Sequence, residues 1–284
     1  MLDRVYVEIG NICNLKCSFC PGTKREKRQM SESEFRTVCQ RVKGHTENLF
    51  FHVMGEPLLH KSLPSFIDTA REYGYRVHIT TNGTLLSTVG EEILKRADTV
   101  SRVSISLHAP EGNAKAGMLS EYLDGVISFA KRFAECGSYA VYRLWNLDTS
   151  ERIGENSSNA LIEQRLKAEY PTEWVKRYSG YRIGKNTFLE YDGIFTWPAE
   201  SDAQECVTGT CHALRRQIAI LADGTVVPCC LDSEGLMPLG NVFRESLEQI
   251  LEGDMAKKMR DGFIQRRMLH PVCKKCTFAR RFKI

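Results

Sequence analysis

The sequence reads as an α/β protein: an open, partial (β/α)6 barrel followed by a small α+β unit. Three observations lead there. Short β-branched runs alternate with helix-period patterns through the first two-thirds of the chain, as parallel βα units do. The chemically unusual residues fall just after the first four strand runs, where a parallel barrel presents its functional loops. Beyond Trp197-Pro198 the alternation stops and a hairpin signal replaces it.

Strands are expected near residues 5–9, 49–53, 77–80, 103–107, 140–144 and 187–191, with helices near 32–42, 63–73, 91–96, 122–135 and 159–169. Ser31 with Glu34 three residues later is a capping-box start for the first helix. Six such repeats suit a TIM-like partial barrel. Past the boundary, Ala222-Asp223-Gly224 is an Asp-Gly turn between the apolar runs 217–221 and 225–228, which predicts a hairpin. Helical patterns follow near 244–251 and 255–267. The domain boundary is placed between 198 and 199, giving units 1–198 and 199–284.

A chain of 284 residues with 42% hydrophobic content has ample core for this plan. No stretch approaches the apolar length of a membrane span, and the start lacks the basic-then-apolar layout of a signal peptide. A soluble cytoplasmic protein is therefore expected. The net charge of +4 is uneven: residues 257–284 carry ten Lys or Arg against one acid, Asp261. That tail is either a solvated basic surface, a counter-charge to an anionic centre, or a landing site for an acidic electron donor. Nucleic acid is not expected, because no aromatic-basic interleaving accompanies the charge.

Eleven cysteines in such a chain point to metal ligation more than to disulfides. Cys39 and Cys136 stand apart in helical patterns and read as core packing. Cys13, Cys17 and Cys20 gather after the first strand among the turn-formers Gly10, Asn11, Asn14, Pro21 and Gly22. Three thiolates without an adjacent fourth ligand suit a [4Fe–4S] cluster with one open iron better than structural zinc.

This Cys-x3-Cys-x2-Cys spacing, with aromatic Phe19 before Cys20, resembles the motif of the radical S-adenosylmethionine (SAM) superfamily. The resemblance implies that SAM chelates the open iron and that one electron cleaves it to methionine and a 5′-deoxyadenosyl radical, which abstracts a substrate hydrogen. Met54-Gly55-Glu56-Pro57 after the second strand resembles the family's GGEP segment, with Met in place of its first Gly. The segments 80–84 and 104–108 resemble those lining the SAM pocket. The SAM contacts so implied are Phe19, Gly55, Glu56, Pro57, Asn82 and Ser106.

Cys211, Gly224, Cys229 and the pair Cys273-x2-Cys276 resemble the C-terminal SPASM/twitch extension of that superfamily, as does Gly240-Asn241-Val242 leading into a helix. Longer SPASM forms carry further cysteines, whereas only eight residues follow Cys276. The resemblance thus implies the twitch form, with one auxiliary [4Fe–4S] cluster on Cys211, Cys229, Cys273 and Cys276. A four-cysteine zinc site has the same spacing and stays open. Cys206 and Cys230 are ambiguous between ligand and free thiol. In sulfatase-maturing relatives an Asp base occupies the position held here by Cys230, which weakens a carry-over of their mechanism. A thiol there can return a hydrogen atom to a carbon radical, which makes Cys230 the candidate catalytic residue.

Three reactions follow from the resemblance: net oxidation through the auxiliary cluster, redox-neutral epimerisation with Cys230 as donor, or peptide crosslinking. A non-enzymatic carrier or zinc-stabilised module is the fourth reading. The substrate is a small molecule or peptide, and the electron donor a ferredoxin or flavodoxin. Residues 145–198, with Arg143 just before, are expected to set specificity through Arg143, Trp145, Trp174, Arg182, Glu190, Tyr191 and Trp197.

Overall fold

The computed structural model describes residues 1–17, 20–108, 119–144, 157–193 and 195–282. The strands are β1 (Arg4–Val7), β2 (Asn48–Phe51), β3 (Arg76–Thr81), β4 (Val100–Ser106), β5 (Tyr139–Leu144), β6 (Val175–Arg177), β7 (Gly180–Gly184), β8 (Thr187–Tyr191), β9 (Gln217–Ile220), β10 (Thr225–Val227) and β11 (Gly240–Asn241). The helices are α1 (Glu32–Val42), α2 (Leu63–Glu72), α3 (Leu86–Leu94), α4 (Leu119–Glu135), α5 (Ser157–Glu169), α6 (Leu247–Leu251), α7 (Asp254–Ile264) and α8 (Pro271–Lys275).

Among the described residues one sheet of eleven strands runs in the order β11-β10-β9-β1-β2-β3-β4-β5-β8-β7-β6. Its centre, β1 through β5 and then β8, is the expected set of six parallel strands. The protein is thus a mixed α/β fold with a predominantly parallel sheet. Each central strand is two-faced. Val5 and Val7, Leu49 and Phe51, and Val77 and Ile79 lie buried in the main core. The alternate residues Arg4, Tyr6, Phe50 and His78 line a cavity on the other face. Among the described residues no helix is long and apolar enough to cross a membrane.

The local signals that predicted elements have physical counterparts. Ser31 accepts from the Glu34 N–H at 3.2 Å while the Glu34 carboxylate accepts from the Ser31 N–H at 2.8 Å, closing the capping box at α1. The turn at Asp223-Gly224 joins β9 to β10 as a hairpin, with Gly224 at φ +84°. That hairpin continues the barrel sheet rather than forming a separate one, because β9 pairs in parallel with β1, Val5 opposite Ile218.

Other expectations are corrected. The third helix begins at Leu86, five residues before the expected 91, because Leu86, Gly90 and Ile93 supply its buried face. The hairpin β6–β7 was not legible, since every residue of β6 is exposed and no apolar alternation marks it. Cys39 is buried core, but Cys136 is exposed, lying just past the end of α4 before the turn at Gly137.

Candidate functional site

The loop after β1 carries Cys13, Cys17 and Cys20, and its base is pinned by buried Asn11. The Asn11 amide donates to the Glu26 carbonyl at 2.8 Å and accepts from the Arg28 N–H at 2.8 Å. The loop after β2 packs directly onto it. Gly55 sits at φ +81°, and a Cβ there would meet the Gly10 carbonyl oxygen at 2.5 Å, so only glycine allows this approach. The Glu56 N–H then donates to the Ile12 carbonyl at 2.9 Å.

Glu56 is 4% exposed and its carboxylate accepts three donors: Thr81 Oγ1 at 2.8 Å, the Asn82 N–H at 2.7 Å and the Leu58 N–H at 3.0 Å. Burial pushes its pKa up to about 7 despite those bonds. The carboxylate expected to receive SAM also braces the ends of β2 and β3. Asn82 in turn donates to Asn14 Oδ1 at 3.0 Å and to Cys13 Sγ at 3.9 Å, fastening the β3 end to the cysteine loop. Tyr122 from α4 donates to the carbonyls of Asn82 at 2.8 Å and Ser106 at 2.9 Å, joining the ends of β3 and β4.

These groups open into one cavity of about 1060 Å³, at the upper end of single-ligand pockets. Cys13, Cys17, Cys20, Gly55, Glu56, Asn82 and Ser106 all line it, together with Arg143, Glu190, Trp197 and Cys230. Pro57 is buried and outside its wall, starting the short turn that Glu56 caps. Phe19 and Trp145 lie outside the described residues. Trp174 and Tyr191 line a separate groove beside α5, and Arg182 lines neither. Tyr6, His52 and His78 also line the cavity. Their inward positions on adjacent strands are legible only once strand register is known.

The donor chemistry of the loop fits an iron–sulfur cluster. Burial, then the neighbouring Cys13 and Cys20, pushes the Cys17 thiol up to about 11. Three crowded thiols cannot ionise together without a cationic partner. Cys13 Sγ accepts from the Leu15 N–H at 3.4 Å, the kind of bond that tunes a cluster sulfur.

The C-terminal cysteines come from three separate segments: Cys211 before β9, Cys229 after β10, and Cys273 and Cys276 at α8. All four pack against the core. Cys229 is driven well above the usual thiol range by burial, and then by its neighbours Cys230, Cys211 and Cys273. Cys211 Sγ accepts from the Ala213 N–H at 3.5 Å.

Cys229 and Cys230 face opposite ways. Cys230 joins the small apolar cluster of Tyr6, Val53 and Leu221, lines the cavity and contacts the Tyr6 hydroxyl. Cys206 instead donates its S–H to the Thr208 carbonyl at 3.0 Å.

A buried hub links the two cysteine regions. The carboxylate of Glu8, wholly buried, accepts Arg25 Nη2 at both of its oxygens, at 2.7 and 2.8 Å, and the N–H groups of Met54 and Ala222 at 3.2 Å. Arg25 also donates to the Ser233 carbonyl at 2.7 Å. Glu8 sits mid-pattern in the first strand run, where a lone acid carries no distinctive spacing.

A barrel mouth carrying three thiols, beside a second set of four, defines a class that the family comparisons identify. Residues 7–145 match the model of the radical SAM superfamily, and residues 211–277 match that of SPASM, an iron–sulfur cluster-binding domain. The chain belongs to the radical SAM superfamily and carries a SPASM domain. It is a radical SAM enzyme whose cofactors are a [4Fe–4S] cluster, SAM and auxiliary iron–sulfur, so the carrier and zinc readings give way.

Among its relatives, it is 29% identical over 112 residues to the S-adenosyl-L-methionine-dependent 2-deoxy-scyllo-inosamine dehydrogenase of Niallia circulans, over 37% of this chain and 42% of that one. It is 34% identical over 127 residues to the S-adenosylmethionine-dependent nucleotide dehydratase of Lacinutrix mariniflava, over 41% of this chain and 26% of that one. The match thus spans less than half of either relative. Solved folds are similar over more of the chain. BtrN in complex with AdoMet and 2-DOIA superposes with TM-score 0.57 at 18% identity, over 98% of this chain and 93% of that one. anSMEcpe with bound AdoMet gives 0.62 at 14% identity, over 98% and 87%.

Proposed function

We propose that this enzyme oxidises a small polar substrate by two electrons, using one auxiliary [4Fe–4S] cluster on Cys211, Cys229, Cys273 and Cys276. Cys13, Cys17 and Cys20 would hold the cluster at which SAM would supply a 5′-deoxyadenosyl radical for hydrogen abstraction, and Cys211, Cys229, Cys273 and Cys276 would hold an auxiliary cluster that would supply an acceptor for the second electron. The chain's residues do the rest. Gly55, Glu56, Asn82 and Tyr122 hold the mouth rigid around SAM, with Ser106 beside it. The inward polar side chains orient the substrate, and the departing proton leaves to water in the cavity, because burial and nearby arginines hold His52 at about 3 and His78 at about 4, too weakly basic to keep it near neutrality.

The observation that carries this reading is the alternation at 229–230. Cys230 lines the cavity, while none of the four nominated ligands does. Four thiols outside the cavity lining would hold a fully ligated cluster, which would accept an electron rather than bind substrate. The dehydrogenase activity named for the Niallia relative supports the same class. A ferredoxin or flavodoxin is the proposed reductant, drawn to the basic C-terminal surface.

The test is anaerobic turnover with SAM and a strong reductant over a panel of polyols, amino sugars and their acids. A product two hydrogens lighter, formed once per 5′-deoxyadenosine, is expected. Cys229→Ala should keep SAM cleavage and lose that product. A product isomeric with the substrate, one mass unit heavier when turnover is run in D2O, would instead support the second reading, epimerisation, which the cavity position of Cys230 and its Tyr6 contact favour. In that case Cys230→Ala abolishes the isomer.

A further inference from the structure

The sheet runs on past the barrel. Beyond β8 the hairpin β6–β7 adds two strands, and β6 is a free edge among the described residues. The hairpin is held tightly. A Cβ on Gly180 would meet the Leu189 carbonyl oxygen at 2.0 Å, and the Ser179 carbonyl accepts the Tyr191 N–H at 2.7 Å. A groove of about 960 Å³ opens beside it, lined by residues of α5 and of the hairpin. It shares no lining residue with the barrel cavity. The alternation at the end of β8 separates the two, because Glu190 and Asp192 line the cavity while Tyr191 between them lines the groove.

Aromatic rings form one wall of the groove. Trp174 lies 5.9 Å from Tyr181, and Tyr181 lies 6.2 Å from Tyr191, centroid to centroid. Two of these rings are tethered at their polar tips. Trp174 Nε1 donates to the Tyr170 carbonyl at 3.1 Å, and the Tyr191 hydroxyl donates to Glu163 at 2.9 Å, engaging the one carboxylate that lines the groove. The rest of the lining is cationic. Lys176 and Arg177 of β6 are exposed and make no ion pair among the described residues. Lys167 Nζ lies 5.7 Å from the centre of the Trp174 ring. Val175 and Tyr178, on either side of the two cations, are exposed as well.

An edge built this way discriminates among partners. Like charges opposed across a ladder repel, so Lys176 and Arg177 disfavour pairing with β6 of a second copy. An acidic strand meets two cations instead, and the fixed rings offer its apolar side chains a surface that costs little ordering entropy.

We propose that this groove docks an acidic, extended polypeptide segment. The segment adds to the β6 edge, with its carboxylates on Lys176 and Arg177 and its apolar side chains on the Trp174–Tyr181 wall. The site lies behind the cavity and does not depend on which reaction the barrel performs.

The test is anaerobic fluorescence anisotropy of the reconstituted protein with a blocked, dye-labelled Glu-Tyr-Glu-Val-Glu peptide. Two counterparts carry Lys or Ser in place of Glu, and an oligothymidylate strand is the nucleic-acid probe. The Glu peptide should bind at least about tenfold tighter than either counterpart. Reversing the cations, Lys176→Glu with Arg177→Glu, should abolish that preference and transfer it to the Lys peptide. SAM cleavage should stay at the wild-type rate, which shows that the double variant is folded. If it does not fold, hydrogen exchange on the wild type decides: the Glu peptide should slow exchange of the β6 amides. No protection at β6, equal binding of the three peptides, or tighter binding of oligothymidylate each overturns the proposal. So does dimerisation through β6, seen in sedimentation as a dimer that the double variant loses.

Discussion

The two cysteine regions are built on opposite plans. Cys13, Cys17 and Cys20 come from one loop, and two of the three are exposed at the mouth of the cavity. Cys211, Cys229, Cys273 and Cys276 come from three distant stretches of chain, and all pack against the core. A cluster held by one loop closes only a short segment and constrains little of the fold, but it leaves an iron face open to a ligand. A cluster held by distant stretches closes long loops, so binding it is coupled to folding. An exposed site suits ligand chemistry, and an enclosed one suits electron transfer and structural stability.

The sharpest way to break this contrast is to remove each ligand set in turn. The triple change Cys13/Cys17/Cys20→Ala should abolish SAM cleavage and lower iron from about eight to about four per chain, because each cubane holds four. Its melting temperature should move by only a few degrees, roughly the effect of 1 kcal/mol or less in a chain this size. Cys229→Ala or Cys273→Ala should lose a similar amount of iron yet lower the melting temperature several times further. Iron analysis and anaerobic calorimetry on the same samples check both arms. Equal thermal losses would mean that the N-terminal loop is as structural as the C-terminal site.

Much of this contrast was legible in the sequence because cysteine spacing is local. The loop at 13–20 and the pair at 273–276 announce themselves by spacing, and the flanking Gly10, Asn11 and Gly22 mark a turn. Gly55 was legible too, though its reason, a backbone approach to the Gly10 carbonyl, belongs to three dimensions. Strand existence was easier to read than strand pairing. Nothing in Gln217–Ile220 says that its partner is β1, some two hundred residues earlier. The specificity residues divided for the same reason. Arg143 and Glu190 point inward by register, while Trp174 belongs to an outer groove that no periodicity distinguishes. Glu8 was illegible because a buried acid is recognised by its partners, and these lie at 25, 54 and 222.

That hub is where the two plans meet, and it supports a second, smaller prediction. Glu8 ties the cysteine loop, through Arg25, to the β9–β10 turn at Ala222. Removing one partner of a buried ion pair leaves the other charge uncompensated, at a cost of about 3–5 kcal/mol. With the Arg25 side chain 17% exposed, the lower end of that range is expected for Glu8→Ala. Glu8→Gln keeps an acceptor for one N–H and should cost less. Chemical denaturation of the reconstituted protein measures both. Because the hub touches both regions, SAM cleavage should decline together with stability, which neither ligand set alone would produce. A Glu8→Ala protein that melts normally would show the two regions to be independent.

The smallest expected effect tests the boundary of the enclosed site. Cys206 lies near α8 in space, since its N–H donates to the Lys274 carbonyl at 2.9 Å. Its S–H, however, donates to the Thr208 carbonyl two residues on. Cys206→Ser preserves a donor to that carbonyl, so stability should change by under about 0.5 kcal/mol, as for a surface substitution. Iron content and SAM cleavage should match the wild type. If iron falls instead, Cys206 is a cluster ligand that one of the four replaces here, and the enclosed site must reorganise around a fourth chain segment when it is loaded. The same substitution would then lower the melting temperature as sharply as Cys229→Ala, so one iron assay and one melting curve decide between a bystander and a ligand.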